Sequence, residues 1–187
     1  MAKQGTAELD DEQSIIEMAK SNPAALAVLY ERHYAAIAGF VRHRVGNEHE
    51  ADDIISDVFL AMVKNLPRYR SRGIPFRIWL FRIATSQLSR WAKRRRRQAS
   101  QQLAMEVDGK STEARKTLDT EMAEMVLATL PHRLQTVLSL HYLEGMTIAD
   151  MASVVRCSDG TIKSRLHDAR ILMRERLEKR GFTDDIR

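Results

Sequence analysis

The sequence predicts an all-α protein: two small helical domains joined by a flexible linker, the C-terminal one a helix-turn-helix. Three observations predict it. Apolar residues recur at helical spacing along most of the chain. A polar stretch over 98–117, QASQQLAMEVDGKSTEARKT, loses that period and divides the chain. Residues 147–176 then read as a short helix, a tight turn and a longer helix. With 187 residues, 44% hydrophobic and 29% charged, the chain is globular and can hold two small domains. The expected organisation is a disordered acidic tail over 1–12, a first domain over 13–97, the linker, a second domain over 118–180 and a tail over 181–187.

The elements follow in order. Asn22-Pro23 reads as a helix cap with proline at the first helical position. Leu26, Leu29, Tyr30, His33, Tyr34, Ile37, Phe40, Val41 and Val45 then hold one stripe up to a Gly46-Asn47 turn. His33 on that stripe is a packed core residue, since nothing near it completes a metal set. A helix over about 48–65 buries Ala51, Ile54, Ile55, Val58, Ala61 and Met62. Its other side carries Asp53, Asp57, Leu60 and Lys64, with Ser56 beside them. A leucine among carboxylates suits a docking surface, although a solvated face with one stray leucine has the same pattern.

Pro67 ends that helix, and a basic, turn-rich loop runs from Arg68 to Pro75. A helix over about 76–97 follows, with Leu80, Ala84, Leu88 and Trp91 on one face and Trp79, Arg82, Ile83, Ser86 and Arg90 on the other. Beyond the linker, Leu118, Met122, Met125, Val126 and Leu130 pattern a helix stopped by Pro131. Leu134, Val137, Leu138, His141 and Tyr142 pattern another, stopped at Glu144-Gly145. Thr147 caps the next, with Asp150 three residues on as a short capping box, and Ile148, Met151, Ala152 and Val155 as its stripe. Ser158 caps the last, whose apolar stripe is Ile162, Leu166, Ala169 and Met173.

Composition narrows the function classes. No apolar run approaches the ~20 residues that span a bilayer, and MAKQGTAELDDEQ lacks the apolar core of a signal peptide. One cysteine excludes an internal disulfide and a thiolate metal cluster. The expectation is a cytoplasmic protein without membrane insertion, cofactor or metal. Net charge is +5, unevenly spread. Between Leu66 and Arg97 lie eleven Lys or Arg and no acid, so the rest of the chain sums to −6. Such a block is an electrostatic footprint for a polyanion. Arginines interleaved with Trp79 suit phosphate neutralisation with base stacking; the competing reading makes Trp79 core and the arginines solvating. In the last helix, Ser164, His167 and Asp168 point away from the apolar stripe, with Lys163 and Arg165 on the flanks. The DNA major groove admits such a helix, and a helical hairpin with a polar outer face has the same pattern.

Two stretches then match one family. LPHRLQTVLSLHYLEGMTIADMASVVRCSDGTIKSRLHDAR resembles the upstream-reading domain of bacterial extracytoplasmic-function (ECF) sigma factors. The segments ADDIISDVFLAMVKNL and PFRIWLFRIA, within the stretch from Tyr30 to Arg97, resemble the domain that binds core polymerase and melts the promoter. The resemblance implies an alternative sigma factor that binds core RNA polymerase, recognises −35 and −10 elements and initiates transcription of a particular regulon. It places Asp53, Ser56, Asp57, Phe59 and Leu60 on the polymerase, at the β′ clamp helices, with the β flap as a second contact. It places Arg68, Tyr69, Arg70, Arg72, Trp79, Arg82, Ser86 and Arg90 on single-stranded −10 DNA. Thr161, Lys163, Ser164, Arg165, His167 and Asp168 fall on double-stranded −35 DNA. An anti-sigma factor is left open as a further partner.

The chain departs from the family pattern at several positions. Ser86 stands where Asn is frequent, Arg90 where Asp is, and Ser56-Asp57 where Gln-Glu is usual. Arg156 occupies a turn position that often holds Gly, and Asp168 replaces a common Arg. An acid on a DNA-facing helix repels phosphate, so its useful contact is the N4 amino group of cytosine. The alternative is that Asp168 pairs with Arg165 or Lys163. No nucleophile–base pair, metal set or phosphate-cradling loop is visible, so no catalysis is expected. Two other classes compete: a DNA-binding regulator that never contacts core polymerase, and a nucleic-acid enzyme with acids facing the basic block.

Overall fold

The computed structural model describes residues 2–71, 73–102 and 125–180, with side chains over 11–98 (Arg72 apart) and 125–180. Every regular element among them is helical. In chain order these are α1 (Ala2–Ala19), α2 (Pro23–Arg42), α3 (Glu48–Asn65) and a 3₁₀ turn at Leu66–Arg68. Helix α4 (Phe76–Gln102), α5 (His132–Leu138), a π-helical turn at Ser139–Leu143, α6 (Ile148–Val155) and α7 (Asp159–Glu178) follow. The predicted caps are made. Asn22 Oδ1 accepts from Ala24 N at 2.9 Å and Asn47 Oδ1 from Glu50 N at 3.0 Å. Thr147 and Asp150 form the reciprocal capping box, and Ser158 Oγ accepts from Thr161 N at 3.2 Å. Each satisfies N–H groups that a helix start leaves without partners.

Helices α1 to α4 form the first bundle. Phe40 packs edge-on against Phe81, with ring centres 5.1 Å apart, tying α2 to α4. The acidic N-terminal stretch differs from expectation: helix begins at Ala2, where a disordered tail was predicted through residue 12. Burial of Ile16 and Ala19 on α2 holds it there. Asp11 pairs with Arg32 at 3.3 Å, and Glu12 lies 3.2 Å from His33 Nε2. His33 is thus a buried core residue, as read, and α1 supplies its acid.

Helix α4 also runs past Arg97 to Gln102, shortening the linker from its N-terminal side. Residues 103–117 of the linker, and the tail over 181–187, lie outside the described residues.

The C-terminal domain does not hang free. Helix α4 packs against α6 and α5, and α2 meets the π-helical turn, so one continuous apolar core runs from Ile16 to Ala169. This explains why α4 is buried on two sides. Leu80, Ala84 and Leu88 are buried as predicted, while Arg82 and Ile83 on the other face are half-buried.

The π turn corrects a second reading. Leu134, Val137 and Leu138 are buried, but Tyr142 is 61% exposed and Leu140 takes the core position. A π turn holds more residues per turn than an α-helix, so the 3.6-residue phase slips there. Arg170 of α7 donates to Tyr142 Oη at 2.9 Å and lies over its ring.

Candidate nucleic-acid interface

The basic loop after α3 is built as a fixed turn. Tyr69 Oη donates to the Ile74 carbonyl at 3.1 Å, and Ile74 N to Ser71 O at 2.7 Å. Gly73 takes φ +75°, a left-handed value that a side chain would strain. Tyr69 is buried against Phe76 and Trp79, at 5.4 and 4.8 Å between ring centres. Tyr69, which the resemblance placed on the −10 strand, is the loop's buried anchor. Trp79 is half-buried in the same aromatic cluster, which favours the core reading of that residue. Arg68 and Arg70 stay exposed on the loop; Arg72 lies outside the described residues. Ser86 and Arg90 are exposed along α4.

Arg82 is not free. Its Nε donates to the Ser153 carbonyl of α6 at 2.7 Å, and burial together with nearby Arg156 pushes its pKa down. One turn earlier, Arg77 donates to both the carboxylate and the backbone carbonyl of Glu144, at 2.7 and 2.9 Å. Burial raises the Glu144 pKa, and Arg77 and His43 lower it less. Nothing in the sequence signals these clasps, because the partners are 67 and 71 residues apart.

The α3 face divides in two. Ser56 and Leu60, 68% exposed, edge an apolar groove of about 720 Å³ between α2 and α3. Phe59, predicted among the docking residues, is buried instead, its ring 4.5 Å from Tyr30. It forms the groove's wall, and Tyr30 and Val63 are exposed along it. Sequence reading put Tyr30 in the buried stripe and missed Val63. Asp53 and Asp57 face a different cleft, lined by Trp91, Arg94 and Arg95 of α4. Arg95 there lies over the Trp91 ring and 3.9 Å from Glu50.

In α7 the predicted polarity holds. Ile162, Leu166 and Ala169 are buried, while Lys163, Ser164, His167 and Asp168 are exposed and Thr161 and Arg165 half-buried. Arg165 turns toward Cys157, with Nη1 3.9 Å from the sulfur. Among the described residues Asp168 makes no ion pair with either flanking cation. Among the described residues, too, no three His, Cys, Asp or Glu side chains cluster as metal ligands, and no helix is long and apolar enough to cross a membrane.

Comparison with known proteins decides the family. Residues 29–98 match the model of Sigma-70 region 2, and residues 120–173 match that of Sigma-70 region 4. The chain is a sigma factor of the extracytoplasmic-function family. The ECF sigma-E factor of Haemophilus influenzae is 22% identical over 91% of this chain and 97% of its own. The sigma-H factor of Pseudomonas aeruginosa is 26% identical over 86% and 90%, and SigW of Bacillus subtilis 25% over 87% and 94%. Two solved structures share the fold. One is CnrH in complex with the cytosolic domain of CnrY (TM-score 0.68, 23% identity, 90% of this chain and 97% of that). The other is RpoE of Bartonella quintana with the anti-sigma factor NepR (TM-score 0.69, 20% identity, 81% and 96%). This sigma factor therefore binds core RNA polymerase and promoter DNA and initiates transcription as an alternative sigma factor.

One departure from the family pattern has a direct physical cost. Arg156 adopts φ 58° and ψ 55°, the left-handed conformation that closes α6 in the turn of the helix-turn-helix. A side chain there is strained by ~1–2 kcal/mol, of which glycine's greater unfolded-state freedom returns part. Arg156→Gly is expected to raise stability by about 0.5–1 kcal/mol, read as a higher urea midpoint at unchanged slope. A lower midpoint would show that the Arg156 side chain stabilises the turn by more than its backbone strain costs.

Proposed function

We propose that this sigma factor divides its work among three surfaces. The groove edged by Ser56 and Leu60, with the Asp53–Asp57 face beside it, docks on the β′ clamp helices of polymerase. Arg68, Arg70, Arg72, Ser86, Arg90 and a released Arg82 hold the unpaired −10 strand; Trp79 supports the loop from beneath. Thr161, Lys163, Ser164, Arg165, His167 and Asp168 read −35 duplex DNA from α7. The exposed Tyr142–Leu143 patch serves the β flap. The protein contributes binding energy and no catalysis, and acts in the cytoplasm, where polymerase is. An anti-sigma factor is a further partner, as NepR is for the Bartonella protein.

One observation carries this reading. The α7 face of Lys163, Ser164, His167 and Asp168 is exposed, while Ile162, Leu166 and Ala169 on the opposite side are buried. The test is run-off transcription with purified core polymerase and sequencing of the 5′ ends. Transcripts should begin downstream of a paired −35 and −10 element, and none beyond core polymerase alone would reject the assignment. Asp168→Ala should relax choice at one upstream base pair, by about 1–3 kcal/mol, and little elsewhere. Unchanged selection at every upstream position would mean that Asp168 reads no base.

A further inference from the structure

Two acids of α1 bear on the basic loop in different ways. Glu17 is exposed and bound by Lys20 at 2.7 Å, which, with the charge of Arg70 in the loop, holds its carboxyl below the usual range. Glu12 is turned inward. Its side chain is 17% exposed, and its Oε1 lies 3.2 Å from Nε2 of the buried His33. The two are close without being aligned as a hydrogen bond, so the contact is one of charge against a polar nitrogen. Among the described residues no other acid pairs with that imidazole. The imidazole is in turn the first ring of a continuous aromatic path to the loop. Its centre is 5.2 Å from that of Phe76, which is 5.4 Å from Tyr69 and 5.2 Å from Trp79. Tyr69 Oη then donates to the Ile74 carbonyl at 3.1 Å, and Ser71 Oγ approaches the same oxygen at 3.5 Å. Burial raises the Tyr69 pKa, Ser71 lowers it and the Glu12 charge raises it again, so the carboxylate acts on both ends of this path. A ring nitrogen buried without its counterpart is unfavourable by its desolvation. Loss of Glu12 would drive His33 outward and take the wall from beside Phe76.

We propose that Glu12 is a positioning residue for strand capture: with His33 and Phe76 it seats Tyr69, and so holds in place the loop that presents Arg68 and Arg70. This rests on the assignment of those arginines to the −10 strand. The consequence runs against simple electrostatics. An acid near a phosphate chain repels it, so removing one should strengthen strand binding. Removing Glu12 should weaken it, because an unseated loop must be ordered at the moment of binding.

The contrast between two acids of one helix is the test. Holoenzyme reconstituted with core polymerase is titrated with a fluorescein-labelled single-stranded deoxyoligonucleotide carrying the −10 sequence that the mapped 5′ ends define. A −35 duplex is the control, and amide exchange over 69–76 is followed in the free chain. Glu12→Ala should weaken strand binding roughly 3- to 10-fold, speed exchange in the loop and leave duplex binding unchanged. Glu17→Ala should leave strand binding unchanged or strengthen it. Should Glu12→Ala lose its helical circular dichroism, Glu12→Gln, which keeps the shape without the charge, takes its place with the same readings. Strand binding unchanged or strengthened by the Glu12 variant overturns the role, as does a loss without faster loop exchange or an equal loss in Glu17→Ala. Tyr69→Phe removes the bond to Ile74, and should weaken strand binding alone but little further in the Glu12→Ala background. Independent losses overturn the route through Tyr69. Arg68→Ala with Arg70→Ala tests the assignment by itself. If that pair leaves strand binding unchanged, the −10 assignment of the loop fails; if it weakens binding and Glu12→Ala does not, the positioning role alone fails.

Discussion

Leu60→Asp is expected to abolish co-elution of the protein with core polymerase while leaving its fold intact. Leu60 is 68% exposed at the rim of the α2–α3 groove, so removing it creates no cavity. A surface change of this kind shifts stability by no more than about 0.5 kcal/mol. An apolar side chain beside a groove walled by Phe59 and Tyr30 is what the centre of an interface requires, and such anchors contribute about 2 kcal/mol or more to binding. A buried aspartate adds its own desolvation, so affinity should fall by roughly 30-fold or more. Charge reversal at Asp53 and Asp57 is a less clean test. Both acids line the cleft with Arg94 and Arg95, so reversal would also disturb the contact between α3 and α4. Normal co-elution of Leu60→Asp would move polymerase docking away from this groove.

The second large effect lies at Arg44. Arg44→Met should stabilise the protein by about 1–4 kcal/mol, because replacing a buried, unpaired charge with an apolar chain of similar length removes a desolvation penalty. The thioether would keep contact with the Phe40 ring. For a chain of this size the melting temperature should rise by roughly 2–4 °C per kcal/mol. The same substitution should soften the acid response. Burial, and then Arg44, hold His132 down at about 4 from an ordinary value near 6.5. The folded form thus keeps His132 neutral, and its stability falls as pH drops from about 6.5 toward 4. Glu144, raised mainly by burial against the pull of Arg77 and His43, works in the opposite direction, its protonation favouring the folded form as pH falls. A melting temperature unchanged or lowered by Arg44→Met would show that the guanidinium is compensated in solution.

Much of the chain was legible before any tertiary contact was known. The local signals are caps and periods, and they depend only on neighbours a turn or two away. Asn22-Pro23, Thr147 with Asp150, and Ser158 all start helices where their side chains satisfy the first free N–H groups. The stripe of Ile162, Leu166 and Ala169 placed the buried and polar sides of α7 correctly for the same reason. The acid-free run from Leu66 to Arg97 is a property of composition that folding leaves unchanged.

What tertiary structure decided is which of these faces stay open. Helix periodicity assigns a residue to a side of its own helix and says nothing about a second neighbour arriving there. Arg82 and Ile83 fell on the face opposite the buried stripe because only one partner layer was counted, and α6 supplies the other. The burial of Tyr69 and Phe59 could not be read from the sequence, because aromatic packing across α2, α3 and α4 leaves no trace in spacing. Tyr142 turned outward through a π turn whose phase slip the 3.6-residue period cannot register. The pairing of Arg77 with Glu144, and the burial of Arg44 without an acceptor, arise only when segments distant in sequence close on one another. Such desolvation is a property of the assembled seam and of no segment alone.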